Sequence, residues 1–540
     1  MARLAAPLAR RHWLLTLLLT AGLVLRVISQ IAYRPALLYI DSLKYLYNAW
    51  PGTDPLGYKG VLQALLLVGN LQLVTAVQHL VGLAMGVAIY ALLLRRGLPR
   101  WLAALAAAPV LLDAYELQME QTIMPDVWFE ALMVAGLVVL LWNPRLTVRS
   151  IAAGGALFGL SATVWQGGEF LILPAVLFAL IATGGWRRKI RAGGLMCVAF
   201  IVPILIYMTL SLILSGHFWL SRSGTSTMYG RVAEAANCAT LNVPSYERVL
   251  CPDPAQKRLG PDGLDHAPSS PLTNYEPPTG LNPSTVISSF TWSVIKQQPL
   301  RVLSSIGSDA AQLFEVTRVT SPGDTPISRW QFQTYYPGYQ NYIRTNHNNV
   351  IIVGLKVQNP PPDYIYQALD PSMGGKATVI RPLASFLHAY QLDGGYTPGP
   401  LYLFATVAGL AGTLFLVRRR RHRPDEPDSE SPGKASPGEA SSAGTGPGQE
   451  GPGQGHRDLA LTCCLFFITP VVLLLASDIP EFSWRYQLPA IMTLPPAGAL
   501  GIAVIIAYFR SRTARKPTGP AAESAVVTSS RAGGTAQTKR

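Results

Sequence analysis

Residues 35–50 read PALLYIDSLKYLYNAW: an acid, a lysine and four aromatic rings set directly after about twenty apolar residues. The preceding run, from about 13 to 32, has the length of a membrane-crossing helix. Tyr and Trp collect where a bilayer meets water, so the stretch reads as the point where the chain leaves a membrane. Asp41 then sits at membrane level. Ile40, Leu43 and Tyr47 fall near one helical face with Leu46 and Trp50 adjoining, which predicts a short helix lying on the bilayer surface. Asp41 at its start suits an N-cap, because its carboxylate can accept an early helical amide. It equally suits a general base, and the stretch alone does not choose between the two.

The whole chain agrees with a membrane setting. Of 540 residues 49% are hydrophobic and only 14% charged, with mean hydropathy +0.26, a balance foreign to a soluble protein of this length. The formal net charge of +14 does not point to nucleic acid, because the Lys and Arg lie in short clusters at the ends of apolar runs. The basic start MARLAAPLARRHW is followed by an apolar run that no small-residue cleavage site closes; an uncleaved first helix is expected.

Apolar stretches predict ten spans, at about 13–32, 71–94, 99–113, 126–142, 150–166, 169–186, 192–215, 398–417, 458–477 and 490–509. The clusters ARRHW, RRGLPR (95–100), NPRLTVR (143–149), WRRKIR (186–191), RRRRHR (418–423) and FRSRTARK (509–516) fall at alternate loops. All are cytoplasmic if both termini are inside. The expected organisation is an all-α polytopic membrane protein. It has a membrane core over 1–216, an extracytoplasmic domain of mixed loop and helix over 217–397, a helix over 398–417 and a terminal hairpin over 458–510. Residues 418–457 and 511–540 are rich in Pro, Gly, Ser and charge, without apolar periodicity, and are expected to form a cytoplasmic linker and tail. Cys238 and Cys251 both fall in the extracytoplasmic segment, where an oxidising compartment and a short separation favour a bridge. Cys197, Cys463 and Cys464 lie in spans and read as small buried apolar residues.

Orientation from the basic residues places the acids independently. Asp41 and Asp54 fall in the first external loop. Asp113, Glu116, Glu120 and Asp126 fall in the second, DAYELQMEQTIMPDVW, and Glu169 in a later turn. Asp478, Glu481 and Arg485 fall in the last, SDIPEFSWRYQLP. Glu116 and Glu120 share a helical face and repel unless a metal, an Arg or a polar group sits between them. Asp126 after Pro125 suits a cap of the fourth span. Arg485 offers a planar fork matched to a phosphate; beside Trp484 and Tyr486 it equally suits an interfacial anchor. No Gly-rich nucleotide loop, Asp-x-Asp motif or zinc-type spacing of Cys and His is present in the sequence.

In order and spacing these features resemble the GT-C superfamily of integral-membrane glycosyltransferases, which includes the protein O-mannosyltransferases and the aminoarabinose transferases of lipid A. The resemblance is carried by YIDSLKYLYNA after the first span, by PLGYKGVLQALL, by ELQMEQTIMPDVWFEAL and by SWRYQLPAIMTLPP, and is best over residues 1–215. Ser42 stands where many members have a second acid, and Lys59 where Pro is common. The resemblance implies a polyprenyl-phosphate-linked sugar donor and a lipid, glycan or protein acceptor on the external face. It implies Asp41 as the base, with Glu116 and Glu120 as further acids, and Tyr58, Lys59, Asp126, Arg485 and Tyr486 toward substrate. It fixes no cofactor, and a divalent metal is compatible. Two other readings stay open: a catalytically silent protein of the same fold serving envelope assembly, and a transporter, although transporters place ionisable groups mid-span and show internal repeats.

Overall fold

The computed structural model describes residues 10–39, 41–47, 54–221, 226–273, 275–320, 323, 325–336, 343–346, 349–352, 355–358, 377–421 and 452–513. Most of the expected linker (422–451) and tail (514–540) lies outside these, as do Ile40 and Trp50 of the expected surface helix; Leu43 and Tyr47 are described in backbone alone.

Each of the ten apolar runs is a helix, from Trp13–Ala32 through Leu71–Arg95 and Trp186–Ser215 to Gly399–Arg421, Pro452–Asp478 and Leu488–Thr513. Among the described residues six helices are long and apolar enough to cross a membrane, or seven if the bent pair Arg100–Leu112 and Ala114–Gln121 counts as one. The helices Asp126–Leu141, Val148–Val164 and Ile172–Ala182 are shorter. Trp186–Ser215 shows why the solvent around the bundle is lipid. Its most apolar stretch is only 17% buried within the protein, and Val198, Ile201, Leu205, Ile206 and Ile213 point outward. In water that exposed face would cost about 25 cal/mol per Å2. The chain is an all-α multi-pass membrane protein.

Local chemistry sets the helix ends. Asn70 accepts from the Gln72 amide at 3.0 Å and opens Leu71–Arg95, and Thr147 with Ser150 forms a capping box before Val148–Val164. Asp113 leaves helical geometry at φ −63°, ψ 123° and accepts from the Tyr115 amide at 2.9 Å. It thereby ends one helix and caps the next, with a bend of 47° between them. The last three long helices pack together through small residues: a Cβ on Gly412 would lie 2.7 Å from the Gly501 Cα, so neither glycine admits a side chain.

The segment after Trp186–Ser215 divides between two cores. Helices Ser226–Ala235, Gly260–His266, Pro283–Gln297 and Pro299–Gln312 enclose their own core of Tyr229, Val232, Leu264, Phe290 and Val294. Cys238 and Cys251 are bridged beside it. This lobe is tied to the bundle by the buried Arg231, which donates to the Asp478 and Ile479 carbonyls and pairs with Asp309. Farther along, Thr378–Val379 pairs antiparallel with Tyr33–Arg34, and helix Arg381–Leu392 packs on the first span. Phe332, Ala384 and Leu387 thus share a core with Leu25, Tyr33, Leu37 and Leu117. A three-stranded antiparallel meander covers Ile343–Asn346, Asn349–Ile352 and Leu355–Gln358.

Candidate functional site

Where the first span ends, residues 36–38 run beside 121–123: the Leu37 amide donates to the Gln121 carbonyl at 2.9 Å and the Ile123 amide to the Leu37 carbonyl at 3.0 Å. The first loop is therefore fastened to the second before the short helix Ser42–Tyr47 begins. That helix buries Ser42, Tyr45 and Leu46 against the bundle. Asp41, just before it, faces Arg485 of the 3-10 turn Trp484–Gln487 that opens the last long helix.

Asp41 meets two cations, Lys44 Nζ at 3.0 Å and Arg485 Nη1 at 3.2 Å. Arg485 is also held side-on by Asp126, with Nε to Oδ1 at 2.8 Å and Nη2 to Oδ2 at 3.0 Å, the bidentate geometry that fixes a guanidinium in direction as well as position. Lys44 reaches on to Asp54 at 3.1 Å. The Arg485 guanidinium stands 5.6 Å from the ring centroids of Trp330 and Tyr486. Trp330 in turn packs on Tyr39 at 4.6 Å. Three carboxylates and two cations thus meet in an aromatic recess, Arg485 buried and Asp41 about a fifth exposed. Burial works to raise the Asp41 pKa, but the Lys44 and Arg485 charges outweigh it and hold the carboxyl below its ordinary value. Burial works against the Lys44 ammonium, and Asp41 and Asp54 more than restore it, so its pKa rises.

Of the residues expected at the site, the fold brings together Asp41, Asp126, Arg485 and Tyr486. Tyr58 stands just behind them, close enough to feel the Asp126 charge. That side chain is buried, donates to Gln78 Oε1 at 2.9 Å and meets Tyr45 edge-on at 5.2 Å, while Gln78 donates to the Glu120 and Thr122 carbonyls. Tyr58 therefore staples two loops. Lys59 on the same helix is partly buried, and burial lowers its pKa.

Glu116 and Glu120 lie inside the bundle. All eight residues of Ala114–Gln121 are buried. Glu120 bonds Arg26 Nη2 at 2.5 Å and His79 Nδ1 at 2.7 Å, so an Arg from the first span supplies its counter-charge. The same guanidinium donates to the Leu111 carbonyl at 2.8 Å and the Val110 carbonyl at 3.2 Å, satisfying groups that the bend at Asp113 leaves free. Gly82 makes room for the pair: a Cβ there would lie 1.7 Å from Glu120 Oε1. Glu116 faces Glu130 of the Asp126–Leu141 helix instead. Both carboxyl groups are fully buried, and no donor reaches either of them. A proton shared between them is the arrangement that avoids two adjacent buried charges.

Sequence reasoning passed over Lys44, Arg26, His79 and Glu130. Arg26 and Glu130 each interrupt an apolar run, and an ionisable residue inside such a run is the signal that would have found them. Among the described residues no group of three or more His, Cys, Asp or Glu is placed to hold a metal ion.

Glu481 adds a pH-sensitive element next to Arg485. Burial, then the Asp262 and Asp265 charges of the attached lobe, push its pKa up to about 8. An acid that is easier to ionise unfolded than folded costs stability as pH rises from its ordinary value of 4.5 toward about 8. Thermal unfolding of the purified protein should show its midpoint falling across that window. Glu481→Gln should flatten the fall, and an unchanged slope in that variant would place the ionising group elsewhere.

Comparison of the chain with protein-family models, with curated proteins and with solved structures returns no match.

Proposed function

We propose that the protein is a GT-C-type membrane glycosyltransferase of ten spans with cytoplasmic termini. It moves a sugar from a polyprenyl-phosphate donor to a cell-envelope acceptor at the outer face. The observation that carries the proposal is the meeting of Asp41 with Arg485, 444 positions apart in the chain, at the end of the first span. Attack of a hydroxyl on an anomeric carbon needs a base on the nucleophile and a cation on the departing phosphate. Asp41 is the base and Arg485 the phosphate group's partner. Asp126 keeps the guanidinium aimed by gripping its Nε and Nη2 side, which leaves the Nη1 edge for the phosphate. A phosphate at that edge displaces Asp41, so donor binding itself frees the base. The recess of Tyr39, Trp330 and Tyr486 suits a sugar ring presented from a lipid.

Transport is the second reading, favoured by the buried Arg26–Glu120–His79 cluster and the Glu116–Glu130 pair inside the bundle. Purified protein given radiolabelled polyprenyl-phosphate sugars and a crude envelope acceptor should form covalently transferred label. Label that crosses sealed vesicles while staying on its lipid would replace the transferase by a transporter. Orientation is checked by labelling introduced cysteines: Ser269→Cys, which is exposed, should react from outside, and Ala440→Cys should be protected.

A further inference from the structure

A cleft of about 850 Å3 opens where the first helix begins, at the other end of that helix from Asp41, about 30 Å away at 1.5 Å per residue. It lies between the start of Trp13–Ala32, the last turns of Leu71–Arg95 and the start of Arg100–Leu112, and Arg10, Arg11, His12 and Arg100 line it. None of its lining side chains is acidic. Among the described residues none of the three guanidiniums is ion-paired. The neighbouring Arg95 and Arg96 differ, since they are spent on the carbonyls of Trp142, Leu141 and Asn143.

Two further features add positive potential at the same place. Both helices that begin there lack a side-chain cap, at His12 and at Pro99, so no capping side chain offsets the positive ends of their dipoles. His12 bonds the Tyr90 hydroxyl at 2.6 Å. Burial, then the Arg100 and Arg11 charges, hold its pKa below the ordinary value, in keeping with Arg11 and Arg100 lining the same cleft from different helices. The floor is Leu14, Leu15 and Leu94. The indole rings of Trp13 and Trp101 stand at the rim, 63% and 58% exposed, as interfacial rings do.

We infer that this cleft binds the phosphate of an anionic phospholipid headgroup, with Arg10, Arg11 and Arg100 as its ligands. General attraction of basic loops to a lipid surface needs neither a cavity nor converging, unpaired guanidiniums, whereas a phosphate diester accepts forked donors and helix amides together. The apolar floor and indole rim point to a phosphate that arrives on a lipid. The assignment is independent of the reaction at Asp41.

Native mass spectrometry of the purified full chain, titrated with phosphatidylglycerol or phosphatidylcholine, tests it. Phosphatidylglycerol should be retained at least tenfold more tightly. The triple variant Arg10→Gln, Arg11→Gln, Arg100→Gln should lose that preference, while Arg149→Gln, Arg187→Gln, Arg191→Gln, with the same charge removed from exposed positions, should keep it within twofold. Arg100→Lys retains charge without the fork and should weaken retention severalfold, which keeps the test open if the triple variant folds poorly. Equal losses in the two triple variants would overturn the site in favour of diffuse charge. Displacement of the lipid by an equal concentration of inorganic phosphate would overturn the lipid as its source.

Discussion

Asp41→Asn is expected to lower sugar transfer by about a hundredfold or more, the usual weight of a lost general base, with the protein still inserted and folded. Asn keeps the size of the side chain and an oxygen for Lys44 or Arg485 but cannot take a proton. Because Lys44 and Arg485 hold the Asp41 carboxyl below its ordinary pKa, the base form persists as pH falls. The acid limb of the wild-type rate at subsaturating donor, which reports the free enzyme, should therefore lie below the ordinary aspartate range. Lys44→Met should move that limb upward, since a carboxyl relieved of one cation protonates at higher pH. Transfer rates over a pH series, with thermal midpoints of each variant as a control for folding, check both statements. Full transfer by Asp41→Asn would remove this residue from the chemistry, and an unmoved limb in Lys44→Met would separate Lys44 from the titration of the base.

Arg26→Met should be among the most destabilising single changes in the chain, by about 3–5 kcal/mol, because it strands the buried Glu120 carboxylate. It also removes the donor that satisfies the Leu111 and Val110 carbonyls. Glu120→Gln added to Arg26→Met should recover part of the loss, since an amide needs no counter-charge, with a coupling energy of about 0.5–3 kcal/mol in the double-mutant cycle. Denaturation of the detergent-purified variants measures it. Strictly additive single changes would mean that the two side chains do not act as a pair.

The helices were legible because the signal for them is local. A run of about twenty apolar residues has to satisfy its own backbone inside lipid, and every such run here is helical, including the first, which sets Asp41 at its exit. The Cys238–Cys251 bridge was legible for a related reason, since thirteen positions of sequence bring the pair within reach. The acids of the second loop misled because helical spacing reports which side chains share a face and not what covers it. Glu116 and Glu120 do share a face, and the bend at Asp113 folds that face into the bundle. Lys44 stood in the opening stretch itself, yet its role depends on Asp54 and on Arg485 arriving beside Asp41.

What the sequence determined by itself was the set of apolar helices of a multi-pass membrane protein and the place of Asp41 shortly after the first of them, for length and polarity act along the chain one segment at a time. Only the tertiary structure decided the pairing of charges: Arg485 with Asp126 and Asp41, Arg26 with Glu120, Arg318 with Asp113. A buried charge is costly until its counter-charge is in contact, and that contact is created by helices packing from distant parts of the chain, where spacing in sequence carries no information.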